Sequence, residues 1–228
     1  MKIAVLTGAG ISAESGLQTF RGNNGLWEGY NIYEVATPEA WNKNPTLVQE
    51  FYNMRRKNVL AAKPNAAHFA LVELEKYHQV QIITQNVDDL HERAGSKNII
   101  HLHGKITQSR STLDPNLVYD IQGWELKMGD KCELGSQLRP HIVWFGEAVP
   151  MIDNAIELVK NVDLLLIIGT SLQVYPAAGL ATEVDTNTKI IVVNTEKIHS
   201  FSTNANVQFI QGNATVEIPK IVEELKVL

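Results

Sequence analysis

One cysteine, Cys132, stands among 228 residues, so the chain can build neither an internal disulfide nor a multi-cysteine metal site. No apolar run approaches the roughly 20 residues needed to span a bilayer. The N-terminus enters the apolar run Ile3-Ala-Val-Leu6 directly, with no signal-peptide hydrophobic region or small-residue cleavage site. A cytoplasmic location and no membrane partner are expected. Basic charge is not in excess either: the net charge is −5 and the isoelectric point is near 5.8, which argues against nucleic acid as a partner. A local basic patch such as Arg55-Arg56-Lys57 can still serve one anionic ligand. Internal repeats and low-complexity segments are also missing. What is present is 44% hydrophobic residues, enough to bury a proper core in one large domain.

The chain opens on an apolar run that breaks into Gly8-Ala9-Gly10-Ile11-Ser12-Ala13. A strand, a glycine-rich turn and then a helix is what holding a pyrophosphate requires. On this pattern Gly8 permits the tight turn, Gly10 lets backbone approach phosphate oxygens, and Ala13 lets the following helix pack on the strand. Ser12, Glu14, Ser15, Thr19 and Arg21 follow, and Arg21 offers a planar fork of donors to phosphate. A nucleotide cofactor is the first hypothesis. In a dehydrogenase a second strand should end in an acidic residue about twenty positions on. Residues 19–41 read instead as a Gly/Asn/aromatic loop, so the dehydrogenase reading falls.

Strands are expected at residues 2–7, 80–84, 163–169, 189–194 and 207–210, with a short one at 98–102. Several are nearly continuous apolar runs, the mark of strands buried on both faces. Helical patterns alternate with them at 46–61, 66–76, 87–94, 153–160, 176–183 and 216–225. The alternation implies an α/β fold, a Rossmann-like parallel sheet with helices on both faces. Two stretches break it and read as insertions that form a smaller module. The expected division is a single domain over 1–228, with the Rossmann-like part at about 1–21, 65–104 and 140–228 and the module at about 22–64 and 105–139.

Ligands of open α/β sheets bind at the carboxyl ends of the strands, and those ends are polar here. They carry Gln85-Asn86-Val87-Asp88, His103-Gly104, Gly169-Thr170-Ser171 and Asn194-Thr195-Glu196. Each segment alone can be a turn or a helix cap; four together point to one ligand site.

These residues carry a resemblance. Gly8-Ala-Gly-Ile-Ser-Ala-Glu-Ser-Gly16, Thr19-Phe-Arg-Gly22, Thr84-Gln-Asn-Val-Asp88, Leu102-His-Gly104, Val143-Trp-Phe-Gly-Glu147, Gly169-Thr-Ser171 and Val192-Val-Asn194 follow the order of the sirtuins. The chain therefore resembles that family of NAD-dependent protein-lysine deacylases over almost its whole length. The resemblance implies removal of acyl groups from protein or peptide lysines with consumption of NAD, releasing nicotinamide and O-acyl-ADP-ribose. It implies His103 as general base, with Gly104 leaving room for substrate and His101 as the competitor. Asn86 and Asp88 would line the nicotinamide pocket, Asp88 by accepting from the carboxamide and Asn86, a catalytic residue beside His103, by holding ribose or an ordered water, and Gln85 would sit on ribose. Phe20 would cover the reactive ribose and Arg21 would bind phosphate. Gly8, Ala9, Gly10, Ala13, Trp27, Gly169, Thr170, Ser171, Asn194, Glu196 and Ala214 would complete the cofactor site.

On the substrate side the resemblance implies an apolar lysine tunnel walled by Val143, Trp144 and Phe145, with Gly146 and Val174 beside it. Tyr52 and Arg55 share a helix face at i and i+3. In the branch resembled, such a pair binds the carboxylate of succinyl- or malonyl-lysine, and guanidinium plus phenol is sound chemistry for a carboxylate. The family usually carries two Cys-x-x-Cys pairs that bind structural zinc. Here Ser111 and Asp114 take the first pair's place, and Lys131 and Leu134 the second, with Cys132 out of register. No zinc is expected, and packing through Leu113, Leu117, Tyr119, Ile121, Trp124 and Leu126 would hold the module. Two other readings stay open: mono-ADP-ribosyl transfer using the same NAD cleavage, and a non-catalytic module that binds NAD or ADP-ribose. The sequence leaves oligomeric state open.

Overall fold

A computed structural model describes residues 1–19, 26–27, 29–198 and 206–227. In chain order the elements are β1 (Lys2–Thr7), β2 (Leu26–Trp27), β3 (Tyr30–Asn31), α1 (Ile32–Val35), α2 (Pro38–Lys43), α3 (Pro45–Ala61), α4 (Ala66–Leu74), β4 (Gln79–Thr84), α5 (Leu90–Ala94), β5 (Ile99–His101), β6 (Gly104–Ser111), β7 (Val118–Asp120), β8 (Leu138–Ile142), α6 (Ile152–Val159), β9 (Leu164–Ile168), β10 (Lys189–Asn194), β11 (Val207–Gln211) and α7 (Ala214–Leu225). Short 3₁₀ segments lie at Ala9–Ile11, Ala13–Ser15 and Ala177–Thr182.

Six strands form one parallel sheet in the order β11-β10-β9-β1-β4-β5. Numbered by their sequence order within the sheet, this is the doubly wound Rossmann arrangement. The direction of winding reverses between β1 and β9, and ligands bind at such a switch point. Period-two alternation divides the strand side chains between two cores. Ile3, Val5, Ile82, Leu166 and Ile191 pack with α4 and α7, while Leu6, Ile83, Leu165, Ile167 and Val192 pack with α6 and the 177–182 segment. Every residue of β9 is buried, which explains its unbroken Leu-Leu-Leu-Ile-Ile sequence. Burial stabilises by about 1.5–3 kcal/mol per such side chain.

The remaining elements form a third cluster beside the sheet. Val48, Phe51, Tyr52 and Val59 of α3 pack on Ile106, Ile142 and Trp144, and β6 is the centre of an antiparallel β7-β6-β8 sheet. Local chemistry starts the helices. Thr37 caps α2 through Ala40 N–H and Asn44 caps α3 through Leu47 N–H, each followed by proline at the first helical position.

Three expectations change. The glycine turn leads not into a helix but into two single 3₁₀ turns, and Ala13 opens the second, half-buried. The stretch expected as a helix at 176–183 is 3₁₀. In the antiparallel module only Leu126 of the six proposed packing residues is buried, and Leu113 and Trp124 are exposed. Polar ties do that work. Arg56, fully buried, donates to the Ile106 and Trp124 carbonyls and to Asn53 Oδ1, while Asn53 exchanges hydrogen bonds with the backbone of Leu126. Arg55-Arg56-Lys57 is therefore not a basic patch, because Arg56 is spent inside and the Lys57 ammonium lies 5.3 Å from the Trp124 ring.

Candidate functional site

The carboxyl ends of β1, β4, β9 and β10 converge through side-chain and loop hydrogen bonds. Gly8 N–H donates to Ile168 O and Gly10 N–H to Gly169 O. Asn86 Nδ2 donates to Gly8 O and Ser12 Oγ, Gln85 Nε2 to Thr170 Oγ1, and Asn194 Nδ2 to Thr170 O. Ser171 is half-buried beside Thr170, Val174 is half-buried further along that loop, Glu196 is exposed past β10, and Ala214 is buried at the start of α7. Phe20 and Arg21 lie outside the described residues, as does the Trp27 side chain.

The structure gives the glycines a use other than approach to phosphate. A Cβ on Gly10 would lie 2.6 Å from Gly169 Cα, and one on Gly8 2.7 Å from Thr170 Cβ. The loops after β1 and β9 therefore touch backbone to backbone, and a methyl group cannot fit between them. Gly8, Gly10, Ile11 and Ser12 donate within the chain, whereas the Ala9 N–H meets no acceptor among the described residues.

Asp88 is buried, accepting from Ser12 Oγ at 3.0 Å and from Leu90 N–H at 3.1 Å. Burial pushes its carboxyl above the usual range, and those two donors oppose the rise. Ser12 is the residue that sequence reasoning left without a role. It links Asp88 to Asn86, and only its place in the glycine run signalled it. The donor set fits a dinucleotide: amides and hydroxyls suited to ribose line the strand ends, and a sheltered carboxylate can accept from a carboxamide.

His103 and His101 differ in what they have free. His101 is engaged on both nitrogens, Nε2 with Glu92 Oε1 at 2.7 Å and Nδ1 with Asn86 O at 3.3 Å. His103 engages Nδ1 alone, with Gln85 O at 3.0 Å. A carbonyl partner requires the proton on Nδ1, so Nε2 carries the lone pair. Burial holds the His103 pKa below the ordinary imidazole value, against a smaller upward pull from the Gln85 carbonyl. Gly104 does not leave room for substrate. A Cβ there would sit 2.0 Å from His141 O, and its φ is +80°. The missing side chain lets β8 approach, and Val143 N–H then donates to His103 O at 3.0 Å.

Beyond β8 the chain turns at Trp144–Glu147. Trp144 is buried, Val143 is half-buried, and Phe145 and Gly146 are exposed. The wall expected from three residues in line is thus split, with the indole inside and the Phe145 ring outside. Trp144 Nε1 donates to Tyr52 Oη at 3.1 Å. Tyr52 is fully buried, and Arg55 follows it by one turn of α3, half-buried. Burial drives the phenol pKa well above its ordinary value, so it stays an O–H, and the Arg55 guanidinium is close enough to counter part of that rise.

At the tip of the antiparallel module the register differs from expectation. Lys131 and Leu134 are exposed, and the side chains meeting Ser111 Oγ are Cys132 Sγ at 3.3 Å and Ser136 Oγ at 2.7 Å. Cys132 faces the Ser111 corner because Gly135 N–H closes a tight turn on Cys132 O. Among the described residues no group of three or more His, Cys, Asp or Glu is placed to hold a metal ion.

The model of the Sir2 family matches residues 8–176. A Helicobacter pylori protein named NAD-dependent protein deacylase is 54% identical over 227 residues, covering 97% of this chain and 95% of its own length. A crystal structure of a Sir2 homolog–NAD complex superposes with a TM-score of 0.89 at 40% identity, covering 99% of this chain and 90% of the other. A Sir2–p53 peptide–NAD+ structure gives 0.81 at 30% identity, covering 100% and 94%.

Proposed function

The chain belongs to the Sir2 family, and on that premise we propose that it is an NAD-dependent protein-lysine deacylase that removes succinyl and malonyl groups and also acetyl. NAD-dependent deacylation rests on relatives of that name aligned over nearly the full length. The acidic acyl preference rests on one observation, the buried Tyr52 phenol with Arg55 one helical turn away, beside the Trp144 indole.

NAD, when bound, supplies the ribose carbon to which the acyl oxygen is transferred and the nicotinamide that leaves. Asp88 would accept from the carboxamide and Asn86 would hold ribose or an ordered water, while Gln85, Ser171, Asn194 and the Ala9 N–H would hold ribose and phosphate. His103 Nε2 accepts the ribose hydroxyl proton. Its Nδ1–H bond to Gln85 O fixes the tautomer, and its lowered pKa keeps the ring unprotonated at neutral pH. Ser12 holds Asp88 and Asn86 in place from behind. Arg55 and the Tyr52 O–H receive the acyl carboxylate, a charge-assisted contact that acetyl-lysine cannot make.

The test is nicotinamide release from NAD with succinyl-, malonyl- and acetyl-lysine peptides, in the parent and in Arg55→Met. Loss of a hydrogen bond to a charged group, about 1.5–3 kcal/mol, lowers kcat/KM on the succinyl peptide roughly ten- to a hundredfold and spares the acetyl peptide. Equal losses on both peptides would assign Arg55 to structure and leave plain deacetylation.

A further inference from the structure

Tyr52 can serve an acyl carboxylate only if its single proton points into the pocket. A phenol oxygen both accepts and donates. Here it accepts from Trp144 Nε1 at 3.1 Å, and its own proton meets no acceptor among the described residues. The indole thus occupies one side of the oxygen and leaves the O–H to the other.

The indole is itself held. The Arg139 guanidinium carbon lies 3.3 Å from its ring centroid, a close face-on stack. Arg139 is buried, bonded twice to Glu147 at 2.8 and 2.9 Å and once to Ile142 O at 2.9 Å. Glu147 also accepts the backbone N–H of Trp144 at 2.8 Å and both bonds from Arg110. The carboxylate therefore fixes Trp144 from its backbone and, through Arg139, from its ring face. Arg139 and Arg110 outnumber Glu147 in charge, which favours an anion nearby.

We infer that Trp144, Arg139 and Glu147 are positioning residues for acyl selectivity: the Glu147–Arg139 pair locks the indole, and the indole N–H aims the Tyr52 hydroxyl at the acyl carboxylate. The inference rests on the proposed role of Tyr52 and Arg55 and extends it to groups that never touch the acyl chain's end.

The experiment is a double-mutant cycle on the ratio of succinyl to acetyl kcat/KM. Trp144→Phe keeps an aromatic wall and deletes the N–H. The ratio should fall about fivefold, the size of one ordinary neutral hydrogen bond, with the loss in KM of the succinyl peptide. Tyr52→Phe should lower the ratio similarly. The double variant should fall no further than Tyr52→Phe alone, because the indole acts only through the phenol. Arg139→Lys keeps the charge toward Glu147, loses the flat stack, and should lower the ratio in the same non-additive way; it carries the test if Trp144→Phe fails to fold. A Trp144→Phe loss equal on both peptides, or one that multiplies with that of Tyr52→Phe, overturns the inference. A normal effect of Tyr52→Phe with an unchanged ratio in Trp144→Phe overturns it while leaving the acidic-acyl reading intact. An unchanged ratio in Tyr52→Phe also overturns it, and only an unchanged ratio in Arg55→Met beside it removes the acidic-acyl reading.

Discussion

Gly104→Ala is the sharpest test of how the base is placed. The added Cβ would lie 2.0 Å from His141 O, 3.0 Å from His141 C and 3.3 Å from Ile142 Cα. A normal carbon–oxygen contact is longer by more than an ångström, so either β8 retreats or residue 104 leaves its positive φ. Both routes break the Val143 N–H to His103 O bond. The left-handed conformation costs a non-glycine residue about 1–2 kcal/mol, and overpacking about 1–3 kcal/mol. Where residue 104 keeps its positive φ and β8 gives way, both costs apply, and their sum of roughly 2–5 kcal/mol corresponds to a fall in Tm of about 4–20 °C for a domain of this size. Misplacing a catalytic group by about 1 Å costs on the order of a hundredfold in rate. Thermal melting and peptide-dependent nicotinamide release on the same preparation measure the two effects. A variant that melts within a degree of the parent and turns over within twofold of it would refute the steric argument and the placement of His103 built on it.

His103→Ala should abolish peptide-dependent turnover while most NAD affinity survives, since a base acts in the chemical step; full activity would remove His103 from the mechanism. With the His103 pKa lowered, the acid limb of kcat/KM in the parent should fall below the ordinary imidazole value of about 6.5, and a limb above 7 contradicts the assignment. His68 and His91 are buried with their rings 4.9 Å apart, and burial holds their pKa values at about 4 and about 3, His91 being lowered further by His68. Their contribution to stability is complete above the unfolded value of about 6.5 and is lost as pH falls toward the folded values. At pH 5 the loss is about 2 kcal/mol for each, and equal urea midpoints at pH 7 and pH 5 would contradict it. Purified protein should carry no stoichiometric zinc and keep its Tm in chelator, because hydroxyls of Ser111 and Ser136 face Cys132; one equivalent by elemental analysis would overturn this.

The sheet was legible because its strands are buried on both faces and leave unbroken apolar runs. β1 and β10 fall where the pattern puts them, and β4, β9 and β11 within a residue at each end. The 176–183 segment has apolar residues at helical spacing, and periodicity alone cannot tell a 3₁₀ from an α turn. Contacts between distant segments were less legible. Gly10 reads as a phosphate glycine from its motif, yet its neighbour is Gly169, more than 150 residues on. Gly104 likewise answers to a strand that the local sequence cannot show. Arg56 reads as part of a surface run, and only the packing of α3 on β6 reveals it as interior. Cys132 was set out of register by counting along a polar stretch whose turns the count could not see.

Arg56 and Asn53 grip the antiparallel module at its base, on the carbonyls of Ile106, Trp124 and Leu126. Beyond that grip, Gly123, Gly129 and Gly135 have open space where a side chain would go, and Leu113, Met128 and Leu134 face outward. The tip is therefore free to accept foreign sequence. A reporter peptide or an affinity tag spliced at Leu134, which faces outward, would sit away from the Gly129 turn, whose Gly129 N–H and Asp130 O bonds run to Gln137 and Leu138 at the head of β8. Lineages that keep the base contacts can rewrite the tip at little cost to catalysis.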